Sequence, residues 1–302
     1  MRAAAARGAR GPRRQRRQAR AGLLFVAPAV CFTAVFFVVP LGMTIWMSLH
    51  DWPMLGRPRF AGLGNYMRLF QDRSFWASLL FTAKYTLAVT PPLFLTAFGL
   101  ALLVRRRGPL VGLLRTAYFL PVVTGMAVAS LLWVWLLHDQ VGVISDVLMK
   151  LHVLREPLQW LDRPDTALAG IVVMVLWKAS GFTMVLLLVG MQAIPEDLDE
   201  AARIDGATRA QRLRYVTLPL LRRTFALALV ISIIGSFLAF EQFFILTRGG
   251  PHNSTISVVY WIYRAAFVQF RLGYAAAMSV VLLVILVLLS VLQLRLLRVE
   301  ER

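Results

Sequence analysis

Long apolar runs alternate with short polar segments along the whole chain. A helix that crosses a bilayer core of about 30 Å needs about 20 mostly apolar residues, and six runs reach that length. They lie near residues 22–49, 76–104, 111–137, 166–191, 220–247 and 272–297. Because lipid offers no partner to an unpaired backbone amide, each run is predicted to be an α-helix. The pattern thus predicts an all-α membrane protein with about six transmembrane helices.

The composition also favours a membrane protein over a soluble one. Hydrophobic residues make up 59% of the 302 residues, and the mean hydropathy is +0.68. A soluble domain of this length needs far more polar surface. The chain carries 33 Lys and Arg against 15 Asp and Glu, a formal net charge of +18. We expect no nucleic-acid partner, because eight arginines crowd into residues 1–21 and most others lie between apolar runs.

The basic residues between the spans predict the orientation of the chain in the bilayer. The two tails and the loops after the second and fourth spans carry 21 Lys and Arg, whereas the other three loops carry 10. Cytoplasmic loops are enriched in these residues, so both termini are predicted to be cytoplasmic. Residues 1–21 form an arginine-rich tail that we expect to be disordered beside anionic lipid. Residues 22–302 are expected to form a single transmembrane domain, with a first span too long for a cleaved signal peptide.

The residue types that build metal, disulfide or catalytic sites are sparse. Cys31 is alone, and the four histidines are scattered without ligand spacing. None of the three lysines lies in the Gly-Lys-Ser/Thr context that a phosphate-binding loop needs. We therefore expect no metal site and no ATP hydrolysis in this chain. An enzyme of the membrane interior would need clustered catalytic groups at one depth, and the sequence has none.

The polar segment 192–219, between the fourth and fifth spans, has a distinct local pattern. Pro195 suits the first position of a short helix, and acidic residues follow it in the first turn, where the helix dipole favours them. The helix is predicted to end at Asp205-Gly206, because glycine readily adopts the left-handed conformation of a C-terminal cap. A second, basic helix should then lead to Pro219. The segment thus predicts a helix–turn–helix against the cytoplasmic face of the membrane.

Several groups of residues resemble a known family. Glu200-Ala201-Ala202, Asp205-Gly206 and Val216-x-Leu218-Pro219 resemble the EAA loop of permeases of binding-protein-dependent ABC importers. The strings that resemble the carbohydrate branch of that family are Asp51-Trp52, Gly64-Asn65-Tyr66, Phe240-Glu241-Gln242, Thr247–Pro251, Tyr263–Phe267 and Gly273–Ala277. Arg248 departs from the branch, which often has glycine there. The resemblance extends from about residue 22 to the C-terminus.

The resemblance implies one subunit of a type I importer in a bacterial inner membrane. The expected partners are a dimer of ATP-binding subunits, which would hold ATP and Mg, a second permease of different sequence, an extracytoplasmic solute-binding protein and the lipid bilayer. The docking element for the ATPase would comprise Glu200, Ala201, Ala202, Asp205 and Gly206. The chain is then not an enzyme. It would move a sugar or sugar-like solute by alternating access between inward-open and outward-open states.

Polar and aromatic residues inside the predicted spans are candidates for the solute pathway, because polar groups in a membrane are costly. The candidates are Trp177, Lys178, Ser232, Ser236, Glu241 and Gln242. Each also has a structural interpretation. The alternative for Lys178 is a pairing within the bundle, and the alternative for Ser232 and Ser236 is a hydrogen bond to a neighbouring backbone group. Lys84 is a further intramembrane cation, with snorkelling towards the outer headgroups as its alternative.

Two other transport functions remain open at the level of sequence. A non-sugar solute such as glycerol phosphate would suit the same kind of permease. A self-sufficient secondary transporter would be expected to show internal repeats with breaks at the membrane midplane, and we find no clear repeat.

Overall fold

The structure is a computed structural model, and it describes residues 12–53, 55–105, 108–139 and 141–296. The α-helices in chain order are α1 (Pro12–Thr33), α2 (Val39–Ser48), α3 (Gly64–Gln71), α4 (Arg73–Leu103), α5 (Pro109–Val123), α6 (Met126–Leu136), α7 (Val143–Lys150), α8 (Pro164–Gln192), α9 (Glu196–Ile204), α10 (Arg209–Arg212), α11 (Leu218–Leu220), α12 (Arg222–Phe237), α13 (Val258–Tyr263) and α14 (Leu272–Leu296). Segments of π-helix cover Ala34–Val38, Leu213–Thr217, Phe243–Thr247 and Arg264–Val268. A short hairpin pairs β1 (His50–Asp51) with β2 (Arg59–Phe60).

The helices agree with the predicted membrane architecture. Within the described residues, four helices are long and apolar enough to cross a membrane: Gly22–Ser48, α4, α8 and α14. The number becomes six if each of two bent helix pairs, α5 with α6 and Arg209–Leu220 with α12, crosses as one span. The prediction of about six spans is confirmed on that basis.

The third predicted span is not one straight helix. The chain bends by 98° between α5 and α6, where Thr124 and Gly125 take extended backbone conformations with ψ of 142° and 148°. An extended residue cannot continue the helical hydrogen-bond ladder, so the carbonyls that end α5 need other partners. A bend after Pro121 is consistent with the kinks that prolines cause in membrane helices.

The fifth predicted span, near 220–247, also needs correction. It begins after a 64° bend between Leu220 and Arg222 and ends at Phe237. Residues 238–240 leave the helix, and the apolar residues that follow form the separate π-helical segment Phe243–Thr247. A further apolar helix over Val258–Val268 was not predicted. A hydropathy window averages over such breaks, since the residues on both sides are apolar.

The first helix begins earlier than its apolar pattern predicts. Residues 12–21 are helical in this structure, where the sequence predicted a disordered tail over 1–21. Residues 1–11 lie outside the described residues. Residues 12–21 thus extend a helix whose apolar part is Gly22–Ser48. In the most apolar window of that part, 0% of the residues are buried inside this chain.

The core lies where α4, α5, α8, α12 and α14 pack together. α8 packs against both α4 and α5, while α14 packs against α2 and α12. α8 and α5 approach especially closely: a Cβ atom added at Gly181 would lie 2.1 Å from the carbonyl oxygen of Tyr118. Only glycine permits this contact between two helix backbones. The close contact places α8 at the centre of the bundle.

Candidate coupling and translocation sites

The turn after α9 has the geometry that the sequence predicts. Gly206 has a φ of +77°, which an L-residue with a side chain adopts only at a cost. Its N–H group donates to the carbonyl of Arg203 at 3.0 Å, and the N–H of Ala207 donates to the carbonyl of Ala202 at 2.9 Å. These two bonds define a Schellman cap. The predicted helix end at Asp205-Gly206 is confirmed, while Pro195 lies at the N-cap position and not at the first helical position.

α9 presents an apolar surface to its surroundings. Leu198, Ala201 and Ile204 share one side of the helix, and Ile204 is 87% exposed. Glu200, Asp205 and Gly206 are exposed as well, and Ala202 is partly buried. No described atom lies within 4 Å of the position that a Cβ of Gly206 would take. An exposed apolar patch on an otherwise acidic helix is typical of a docking surface for another protein.

Two interactions fix α9 against the helix that follows. Arg212 Nη1 donates to Asp199 Oδ2 at 3.2 Å, which joins α10 to α9. Thr208 caps α10 with a reciprocal pair of bonds to Gln211, the capping box. Acidic residues in the first turn of α9 also face the positive end of the helix dipole. The loop is therefore a preformed helical hairpin.

A cavity of about 200 Å³ lies inside the bundle. Residues of α4, α6, α8 and α12 line it, together with Gln242, which follows α12. Its polar lining residues are Tyr85, Thr183, Ser232, Ser236 and Gln242. The structure thus brings together three of the six predicted pathway residues.

Two polar atoms in this cavity have no hydrogen-bond partner among the described residues. They are the hydroxyl oxygen of Ser232 and the side-chain carbonyl oxygen of Gln242. Gln242 is only 2% exposed, and its side-chain N–H donates to Tyr85 Oη at 3.2 Å. Buried polar atoms in native proteins are nearly always paired. Unpaired acceptors beside a cavity therefore indicate a place where a polar ligand can bind.

The other three predicted pathway residues lie elsewhere. Lys178 Nζ donates to the carbonyl of Val122 at 3.0 Å and so satisfies one of the carbonyls that end α5. This is the pairing within the bundle that the sequence left open. Trp177 packs near Trp133, at 6.0 Å between ring centroids, and lines a separate groove between α4, α5 and α8. Glu241 is exposed. A pathway role for these three remains a prediction.

The fold and the loop motif agree with a family comparison. The family model described as the binding-protein-dependent transport system inner membrane component matches residues 63–298. The chain belongs to this family. It is a membrane-embedded permease of an ABC importer.

Named relatives are similar to this permease over nearly their whole length. The probable starch degradation products transport system permease protein AmyD of Thermoanaerobacterium thermosulfurigenes is 33% identical, over 92% of this chain and 94% of the relative. The trehalose/maltose transport system permease protein MalF of Thermococcus litoralis is 32% identical, over 90% and 91%. The sn-glycerol-3-phosphate transport system permease protein UgpA of Agrobacterium fabrum is 33% identical, over 92% and 94%.

A solved structure shares the fold of the permease. A chain from the crystal structure of a bacterial ABC transporter involved in the import of the acidic polysaccharide alginate superposes with a TM-score of 0.82. The match covers 96% of this chain and all of that chain, at 22% sequence identity. The type I architecture expected from the EAA loop is confirmed.

Sequence reasoning missed Tyr85 and Thr183 in the permease cavity. A signal for Tyr85 exists, because polar residues recur on one face of α4 at Ser78, Thr82 and Thr86. Polar side chains repeated every fourth residue within an apolar span indicate a helix face that meets protein or a cavity and not lipid. Across the described residues, no group of three or more His, Cys, Asp or Glu is arranged to hold a metal ion.

Proposed function

We propose that this permease carries a sugar or sugar-like solute across the bacterial inner membrane by alternating access, driven by separate ATPase subunits. The observation that carries the proposal is a continuous path through the chain from α9 to the cavity. α9 is joined by the Asp199–Arg212 ion pair to α10, and α10 leads through one 64° bend into α12, which carries Ser232 and Ser236. A movement imposed at α9 is thereby passed to the cavity wall.

The docking element for the ATPase is Glu200, Ala201, Ala202, Asp205 and Gly206, with Ile204 as an added apolar contact. Exposure of α9 and its fixed Schellman turn support this assignment, because a preorganised surface loses little entropy on binding. A second permease, of different sequence, and an extracytoplasmic solute-binding protein complete the proposed complex. Residues 22–302 form its transmembrane domain.

The sugar class rests on the relatives named for starch degradation products and for trehalose and maltose. The cavity supports it, since Ser232 and Gln242 offer unpaired polar atoms and Tyr85 an aromatic ring, groups that suit a hydroxylated ligand. Glycerol phosphate is the second candidate, because the UgpA relative is equally similar. Uptake of labelled maltose and labelled glycerol 3-phosphate by cells that express the whole importer separates the two.

The coupling proposal is tested by Gly206→Val. A side chain at this left-handed position costs about 1–2 kcal/mol and would protrude from the proposed docking surface. We expect less ATPase to co-purify with the permease, and uptake to fall at least about tenfold, which corresponds to 1.4 kcal/mol. Pull-down of the ATPase and uptake of solute are measured together.

Gly112→Val is the matched control, because Gly112 is an exposed helical residue with open space around it and it follows a cytoplasmic loop. It should keep ATPase binding and uptake near wild-type levels. If Gly206→Val binds the ATPase and transports normally, α9 is not the docking element.

A further inference from the structure

A second pocket, of about 460 Å³, lies on the outer half of the permease. It opens between the N-terminal half of α4 and the segment from Asn253 to Arg264. The polar and aromatic residues that matter for its chemistry are Ser74, Lys84, Asn253, Ser254, Trp261 and Arg264. Its volume lies in the range of about 300–1,000 Å³ that is usual for small-molecule sites. None of these residues lines the cavity described above.

The pocket carries two cations without an acidic partner. Neither Lys84 nor Arg264 has a carboxylate within 4.0 Å among the residues that the structure describes. Arg264 contacts Asn253, whose Oδ1 accepts a bond from Nη1 at 3.3 Å, and its guanidinium lies 5.3 Å from the Trp261 ring centroid. Basic residues are disfavoured on the outer side of membrane proteins, and a cation within a span is costly. Both face one pocket with no described acidic residue to balance their charge, which favours an anion there.

Neutral hydrogen-bond donors surround the two cations. The hydroxyl of Ser254 is buried and has no partner among the described residues. The side-chain oxygen of Asn253 accepts from Arg264, so its NH₂ group is available to donate. A buried hydroxyl normally has a partner. Cations and donors on the same wall are the groups that bind phosphate and carboxylate oxygens.

Asp72, a carboxylate that bonds two residues of this wall, already has its own partners. Asp72 Oδ2 accepts bonds from Tyr274 Oη at 2.6 Å and from Trp261 Nε1 at 3.3 Å. Its Oδ1 accepts from the backbone of Ser74 at the start of α4. Asp72 forms no ion pair with either cation. The pocket therefore keeps a net positive charge.

The loop that carries Asn253 and Ser254 is held firmly to the bundle. Thr82 Oγ1 on α4 accepts a bond from the N–H of Val258 at 2.9 Å. Ser257 Oγ donates to the carbonyl of Ala239 at 2.7 Å, and Thr255 Oγ1 donates to the carbonyl of Gly250 at 2.6 Å. The donors are thus in place before a ligand arrives, which lowers the entropy that binding costs.

We propose that this outer pocket is a binding site for an anionic group, a phosphate or a carboxylate, held by Lys84 and Arg264. The group belongs either to a soluble molecule that reaches the outer face or to the headgroup of an anionic phospholipid. Trp261 supplies an aromatic face beside the charged groups. The site is distinct from the cavity of the proposed solute pathway and does not depend on which solute that pathway carries.

Binding measurements on the complete purified complex test the site. Inorganic phosphate and glucuronate are titrated against it, with glucose as the neutral probe, and affinities are measured calorimetrically. In parallel, native mass spectrometry records bound lipid from nanodiscs of phosphatidylcholine, with or without phosphatidylglycerol. The variants are Lys84→Gln, Arg264→Gln and their combination. The control is Arg59→Gln, because Arg59 is an exposed outer basic residue that does not line the pocket.

Each variant removes a charged hydrogen-bond donor to the anion, so each should weaken anion binding at least about tenfold, while Arg59→Gln should not. Loss of phosphate or glucuronate binding in the variants supports the site with a soluble ligand. Selective loss of phosphatidylglycerol supports it with a lipid ligand. Equal binding of all anions by the wild type and the double variant, or no binding of any of them, overturns the proposal. Lys84 is exposed, so we expect Lys84→Gln to fold normally. A loss of anion binding in this variant therefore reports on the site and not on misfolding.

Discussion

Gln242 combines a structural hydrogen bond and an unpaired acceptor within one side chain. Its N–H bonds Tyr85, while its carbonyl oxygen is buried without a partner. An unsatisfied buried acceptor costs about 1–3 kcal/mol. The presence of such a destabilising acceptor is consistent with a group that binds a transported ligand, because binding sites often lower the stability of the fold.

Gln242→Leu should therefore separate stability from transport. Loss of the unpaired acceptor stabilises the fold, and loss of the bond to Tyr85 destabilises it. Because the two effects oppose each other, we expect the free energy of unfolding to change by no more than about 1 kcal/mol. Loss of a ligand contact should raise the KM for uptake about tenfold. Gln269→Leu, at an exposed glutamine outside the cavity, should leave uptake unchanged. An unaltered KM in Gln242→Leu would remove this residue from the pathway.

Asp72 gives the outer end of the bundle a pH dependence. Burial of the carboxyl raises its pKa, but hydrogen bonds from Tyr274, Ser74, Trp261 and Phe75 outweigh that effect, so the pKa lies below its usual 3.8. A lowered pKa in the folded state means that the ionised form stabilises the fold. That stabilisation is complete above the ordinary pKa and is lost as the pH falls through the lowered value.

Asp72→Ala should accordingly lower the free energy of unfolding by roughly 2 kcal/mol at neutral pH, because it removes a helix cap and charged hydrogen bonds. The difference from wild type should shrink below about pH 4. Thermal unfolding of the purified permease across this pH range measures both effects. Asp51→Ala, at an exposed aspartate, is the control. A difference that stays constant with pH would contradict the role of the ionised carboxyl.

Residue-level features were predictable where the cause is local. The left-handed cap at Gly206 follows from a glycine at the end of a short helix. Tyr85 and Gln242 are 157 positions apart along the chain, and Asp72 and Tyr274 are 202 apart. Such pairs depend on how whole helices pack, which no local pattern encodes.

At the scale of elements, the bent span α5–α6 is held by contacts with α8. Lys178 binds a carbonyl at the end of α5, three positions before Gly181 touches the backbone of α5. One face of α8 therefore both contacts the helix and satisfies its end. Sequence predicted the apolar length of this span but not the 98° bend, because Thr124 and Gly125 interrupt the helix without interrupting the apolar run.

Gly181→Val should disrupt this packing. The new Cβ would lie 2.1 Å from the carbonyl oxygen of Tyr118, so α8 must move away from α5. Overpacking of this kind costs about 1–3 kcal/mol or more, and we expect a lower melting temperature and reduced uptake. Gly99→Val, in α4 with no neighbouring atom within 4 Å, should lose far less stability. Equal melting temperatures for the two variants would show that the close contact is unimportant.

At the scale of the whole molecule, charge and hydropathy together predicted the architecture well. Backbone hydrogen bonding in lipid forces apolar runs into helices, and the distribution of basic residues orients them. The arrangement of those helices around a cavity lies beyond such rules. It depends on close contacts such as that of Gly181, which are specified by single residues.

The orientation is testable because the chain has one cysteine, Cys31. In a Cys31→Ser background, Arg59→Cys should react with a membrane-impermeant maleimide in intact cells. In cells that express the permease without its ATPase, Ile204→Cys, on the exposed face of α9, should react only after the cells are opened. Labelling of Ile204→Cys in intact cells would reverse the predicted orientation.

The single stretch 196–237 contains both the exposed hairpin and the α12 wall of the cavity, yet no described residue of α9 lines that cavity. Substitutions in the two parts are therefore free to accumulate separately. Under the proposed roles of α9 and α12, a lineage of such permeases can acquire a new solute through changes in α12 while α9 continues to fit an unchanged ATPase. One ATPase would then serve several permeases that diverged in what they carry.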